Sequence, residues 1–144
     1  MTIMDKQAPK RQIISLQNRV SESIKLSEFL SEYVKAFNIP DETFNDLRLA
    51  VEETFVNIAS YAYGKDDSQS ITVELNNADH EVSVTFTDTG IAFDPLTEAA
   101  ECLASDDHCE GGMGILLIKS LSDRQEYDRV GQSNVFTITK HYTR

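Results

Sequence analysis

Residues Val51–Gly64, VEETFVNIASYAYG, decide how this chain is read. Val51, Phe55, Ile58 and Ala62 recur at steps of four, three and four residues, the spacing of a helix that turns one stripe to a core. Beside that stripe, Glu53 and Asn57 stand four apart and project from one side of the helix. A carboxylate and an amide in that position form either a solvated face or a site. An amide oxygen is a hard donor suited to Mg²⁺, and a carboxylate one turn away can take a proton from an attacking hydroxyl.

Working outward, the helix begins near Glu42, with Phe44 and Leu47 continuing its stripe, and runs to about Tyr63 before YGKDDSQS ends it. Before it, Val20, Ile24, Leu26, Phe29, Leu30, Tyr33, Val34 and Phe37 predict an earlier helix over Val20–Phe37. Asn38 can close that helix, Pro40 stops its continuation, and Asp41 can cap the next. RQIISLQ (Arg11–Gln17) reads as a first strand. SITVELNN and HEVSVTFTD alternate as a hairpin around Asn76, Asn77, Ala78 and Asp79. From Asp88 to Gly112 no period is visible, and a structureless run of that length inside a domain is usually functional. GGMGILLIKSLSD opens a short apolar helix, and RQEYDRV, GQ and SNVFTITKHY close the chain as a second hairpin. The order predicts an α+β fold, a two-layer sandwich whose mixed, mainly antiparallel sheet is covered on one face by three helices.

With 144 residues, 40% hydrophobic and 26% charged, the chain suits one domain over residues 10–144 behind a flexible tail, residues 1–9. Its formal charge of −11, from 24 acidic and 13 basic residues, repels phosphate backbones and anionic lipid, which argues against direct nucleic-acid or membrane partners. A bound anion then needs backbone N–H groups, a metal ion or a few placed cations. No window reaches the roughly 20 apolar residues of a membrane-spanning helix, and the N-terminus lacks the apolar core of a secretion signal, so a cytoplasmic location is expected. Cys102, His108 and Cys109 lack paired C-x-x-C spacing and read as loop residues rather than metal ligands.

Two further stretches carry chemistry. DTGIAFDP (Asp88–Pro95) sets an acidic residue where a strand leaves the sheet and follows it with Gly90, a place where a ligand can approach backbone closely. A carboxylate there can accept a hydrogen bond from the exocyclic amine of adenine. GGMGI (Gly111–Ile115) brings glycines to a helix N-terminus, where free N–H groups can face phosphate. No G-K-S/T follows and no βαβ unit precedes it, so neither a Walker A loop nor a dinucleotide fingerprint is present.

Taken in this order, LRLAVEETFVNIASYAYG, FTDTGIAFDP and GGMGILLIKSLSD resemble the N box and the two glycine boxes of the gyrase/histidine-kinase-like ATPase superfamily, with its Bergerat-type ATP-binding fold. Within it they look most like the small bacterial anti-sigma factor serine/threonine kinases. That resemblance implies ATP and Mg²⁺, with Asn57 holding the metal and Glu53 as the general base toward a substrate serine. It implies that Asp88 reads the adenine amine, that Gly90 keeps the base pocket open, and that Gly112, Met113 and Gly114 meet the phosphates. A lid is implied over about residues 94–111. The implied partners are an anti-anti-sigma protein of STAS type and a sigma factor, with a homodimer possible.

Two positions depart from the family pattern. Ala92 stands where relatives often carry a second Gly, and Tyr61 where many carry His. The lid holds Asp94, Glu98, Glu101, Asp106, Asp107 and Glu110 with no Lys or Arg, so the expectation is weak or strictly Mg²⁺-dependent nucleotide binding, with Lys119 as one nearby cation. The alternatives are a non-catalytic ATP-binding regulator and a detached histidine kinase catalytic domain. For the latter, His80, His108 and His141 offer no acceptor on an early helix. Glu52, four residues after Arg48, reads as its ion-pair partner.

Overall fold

The structure, a computed structural model, describes residues 9–61, 69–96 and 110–143. Strand β1 (Gln12–Gln17) leads through a 3₁₀ turn (Val20–Glu22) into α1 (Ser23–Ala36) and α2 (Asp41–Tyr61). The hairpin β2 (Ser70–Ala78) and β3 (Glu81–Asp88) follows, then α3 (Glu110–Leu121) and the hairpin β4 (Arg124–Val130) and β5 (Ser133–His141). The five strands form one sheet in the order β1-β2-β3-β5-β4. Every pairing is antiparallel, so the expected mixed sheet lacks a parallel pair among the described residues. The expected tail lies outside the described residues except for Pro9, as does the lid between residues 97 and 109.

Alternation along the strands decides which face is covered. Ile71, Val73 and Leu75 of β2, Val82, Val84 and Phe86 of β3, and Phe136 and Ile138 of β5 are buried against Leu26, Leu30, Leu47, Val51, Phe55, Ile58 and Ile118 of the helices. Positions between them, such as Thr72, Thr85 and Thr137, are half-buried on the other face. One apolar core therefore lies between one sheet face and helices α1, α2 and α3.

The helix joint follows its sequence signals. Asn38 takes φ +54°, and the N–H groups of Asn38 and Ile39 donate back to the carbonyls of Lys35 and Val34, which closes α1 in a Schellman arrangement. Asp41 lies inside α2 rather than capping it; there, with Glu42, it faces the positive end of the helix dipole. Ser27 Oγ donates to Glu52 Oε1 at 2.6 Å, and Arg48 Nη1 lies 3.5 Å from the same oxygen, so Glu52 is the expected ion-pair partner and also ties α1 to α2.

Two expectations shift. Val20 and Ile24 are exposed: Val20 lies in the 3₁₀ turn before α1, and Ile24, two residues before Leu26 within α1, falls on the side of the helix away from the buried Leu26, Leu30, Tyr33 and Val34. The first hairpin turns at Asp79 and His80, with φ +51° and +64°, while Asn76, Asn77 and Ala78 stay in β2. A two-residue turn with both φ positive matches the twist of its strands.

Candidate functional site

Helix α2 packs against α3, and Glu53, Asn57 and Gly114 meet at that contact. A β-carbon built on Gly114 would lie 2.6 Å from Glu53 Oε2 and 3.5 Å from Asn57 Nδ2. Only glycine lets the α3 backbone come this close to the carboxylate. Asn57 is buried and Glu53 half-buried, so the pair flanks the core stripe of Val51, Phe55 and Ile58 without joining it. Gly112 and Met113 lie in the first turn of α3, and Lys119 in its exposed last turn.

A second group forms where β3 leaves the sheet. Asp88 continues the inward row of Val82, Val84 and Phe86, so its carboxylate is carried into the layer the helices cover, only 3% exposed. Its Oδ1 accepts the N–H of Gly90 at 2.9 Å and the Nδ2 of Asn134 at 2.9 Å. Burial raises the Asp88 pKa above the ordinary carboxylate value, opposed by those two hydrogen bonds and by the Arg129 cation. Gly90 is buried and its carbonyl accepts from Arg129 Nη1 at 2.9 Å, whereas Ala92 points to the exposed side, where the extra methyl meets little.

Sequence reading missed Asn134, Tyr127 and Arg129. Asn134 lies opposite Asp88 in the β3–β5 register, and Tyr127 and Arg129 lie opposite Phe136 and Asn134 in the β4–β5 register, all on the inward side. The signal was present in SNVFTIT: with Phe136 and Ile138 inward, the period of two also puts Asn134 inward, and a polar residue in such a row needs partners.

Chemically, the first group offers a carboxylate, an amide and a close backbone. The second offers a buried acceptor at the end of a strand. No cluster of three or more His, Cys, Asp or Glu gathers among the described residues. An amide and a carboxylate side by side, the carboxylate seated against Gly114, fit Mg²⁺, which takes few protein ligands and completes its shell with water and ligand oxygens. Glu53, Asn57 and Gly114 are thus brought together, as are Asp88 and Gly90. Tyr61 ends α2, and Cys102, His108 and Cys109 lie outside the described residues.

Residues 16–140 match the family described as the histidine kinase-like ATPase domain. The chain is 29% identical over 99 residues to the anti-sigma F factor of Clostridium perfringens, covering 67% of this chain and 71% of that one. It is 32% identical over 97 residues to the serine/threonine-protein kinase BtrW of Bordetella bronchiseptica, covering 66% and 68%. Against the serine-protein kinase RsbW of Listeria monocytogenes it is 32% identical over 88 residues, covering 57% and 56%. A crystal structure of the RsbU and RsbW domains of a Mycobacterium tuberculosis protein superposes with a TM-score of 0.70 at 17% identity, over 95% of this chain and 33% of that longer one.

Proposed function

Because the chain belongs to the histidine kinase-like ATPase domain family, we propose that it is an ATP-dependent protein serine/threonine kinase and anti-sigma factor. Its substrate in this reading is an anti-anti-sigma protein of STAS type, and its second partner is a sigma factor. The observation that carries the reading is the meeting of Gly114 with Glu53 and Asn57, which sets a proton acceptor and an amide side chain against the glycine-rich N-terminal half of α3.

In the proposed reaction, Asp88 accepts a hydrogen bond from the exocyclic amine of adenine, and Gly90 leaves space for the ring. Backbone N–H groups at Gly112 and Met113, in the open first turn of α3, face the phosphates, and Gly114 lets that turn approach them closely. Asn57 would hold Mg²⁺, which when bound supplies charge neutralisation to the phosphate oxygens that this acidic chain otherwise repels. Glu53 takes the proton of a substrate serine hydroxyl as its oxygen bonds the γ-phosphorus; the bond to the bridging oxygen breaks and ADP leaves. The product serine carries close to two negative charges, enough to weaken one protein complex and release the kinase surface to another. A cytoplasmic location and control of transcription follow from that partner set, and no helix among the described residues is long and apolar enough to cross a membrane.

Purified protein is to be incubated with γ-labelled ATP, Mg²⁺ and a STAS-domain protein from the same source. Label on a serine of that protein is the expected result. Label on a histidine of another chain would favour a detached histidine kinase domain, and tight nucleotide binding without transfer would favour a regulator that only binds.

A further inference from the structure

Asn134 is 3% exposed and its carboxamide is fully committed. Nδ2 donates to Asp88 Oδ1 at 2.9 Å and to the Ile91 carbonyl at 2.7 Å. Oδ1 accepts the Phe93 N–H at 3.1 Å and the Tyr127 hydroxyl. The backbone N–H of Phe93 can meet only the oxygen and the carbonyl of Ile91 only the nitrogen, so the amide has one possible orientation. A hydroxyl in this place would supply one donor and could not hold both Asp88 and Ile91.

We propose that Asn134 is a positioning residue for base selectivity, fixing the Asp88 carboxylate so that Oδ1 is held by the protein and Oδ2 is offered to the exocyclic amine of an adenine nucleotide. The inference rests on Asp88 being the adenine acceptor. With Oδ1 engaged by both Gly90 and Asn134, the carboxylate cannot rotate without breaking two hydrogen bonds. From Asp88 to Phe93 the loop is fastened at Ile91 and Phe93 by Asn134 and at Gly90 by Arg129, so β4 and β5 determine its shape. Tyr127 is the outer support, its hydroxyl donating to Asn134 Oδ1.

Adenine presents an amine to a fixed Oδ2, whereas hypoxanthine presents a carbonyl at that position and is repelled. A carboxylate free to swing would instead accept the N1–H of hypoxanthine, and the distinction would fade. The test is equilibrium binding of Mg·ATP and Mg·ITP to the full chain and to Asp88→Asn, Asn134→Leu and Tyr127→Phe. The expected preference for ATP is about tenfold or more in the unaltered chain, one charge-assisted hydrogen bond's worth. It should fall to within about threefold in Asn134→Leu and to an intermediate value in Tyr127→Phe. A loosened fold would weaken both nucleotides alike and leave the ratio unchanged, so the ratio reports positioning.

A folded Asn134→Leu chain that keeps the full preference overturns the inference. If that variant does not fold, Tyr127→Phe carries the test, and an unchanged ratio there overturns it equally. A chain without preference, or an Asp88→Asn variant that keeps it, overturns the adenine reading of Asp88 and the inference with it.

Discussion

A methyl group on Gly114 would press on Glu53 Oε2, the mobile end of a long side chain, so the carboxylate would swing aside while the helices stay packed. Alanine also favours a helix interior over glycine by about 1 kcal/mol. Gly114→Ala is therefore expected to leave the melting temperature unchanged or raised while phosphate transfer drops about tenfold or more. Parallel calorimetry and transfer assays check this, and an unaltered rate would remove Glu53 from the chemistry. Asp88 shows the opposite tension. Because burial raises its pKa, the folded chain keeps that proton to higher pH than the unfolded chain does. The group's contribution to stability therefore falls as pH rises from the ordinary carboxylate range through the raised value, and it does not recover above it. Asp88→Asn keeps an acceptor for Gly90 and Asn134 and drops the buried charge. It should melt a few degrees higher at neutral pH, on the order of 1 kcal/mol, with a flatter pH dependence and with ATP binding weakened about tenfold or more. Thermal melts across pH 4–8 would show a lower melting temperature throughout if the burial argument is wrong.

At the scale of elements, turn chemistry makes a separate claim. Asn38 at φ +54° closes α1, so Asn38→Ala should cost about 1 kcal/mol in urea unfolding and Asn38→Gly almost nothing. Equal losses in the two would mean that the Asn38 side chain, and not its backbone, closes the helix. This end was legible because Asn followed by Ile-Pro is a stop signal, and the Glu53/Asn57 face was legible because the α2 stripe left those positions beside the core. The start of α1 was not. Val20 falls in a 3₁₀ turn that precedes α1, and Ile24 stands two residues before Leu26, a step that turns it away from the buried stripe, so steps of four from Val20 reach a core that neither residue joins. The hairpin turn was misplaced by about two residues because Asn76 and Asn77 have turn composition, while β2 continues through them with Asn77 paired to Val82 and its amide bonded to Tyr33. Partners across the sheet outweighed local propensity there.

For the whole molecule, the layer order was legible because each helix and strand announces its buried face by its period, and the α3 contact with α2 then follows from covering a single sheet face. The interlock of Asn134 with Asp88 depends on the β3–β5 register, a pairing of residues 46 apart that no local pattern states. The charge of −11 belongs to this scale as well. It repels a polyanionic nucleotide at long range, so the association rate for ATP should rise several-fold from low to physiological ionic strength, and chelation of Mg²⁺ should weaken binding steeply. Stopped-flow binding at several salt concentrations tests this, and a rate that falls with salt would reveal a local positive field. Whether Glu53 takes the serine proton is read from single-turnover phosphate transfer with nucleotide already bound, comparing the unaltered chain with Glu53→Gln. The predicted result is ATP affinity within about threefold in both and transfer slowed by about a hundredfold or more in Glu53→Gln; transfer at an undiminished rate with bound ATP would contradict it.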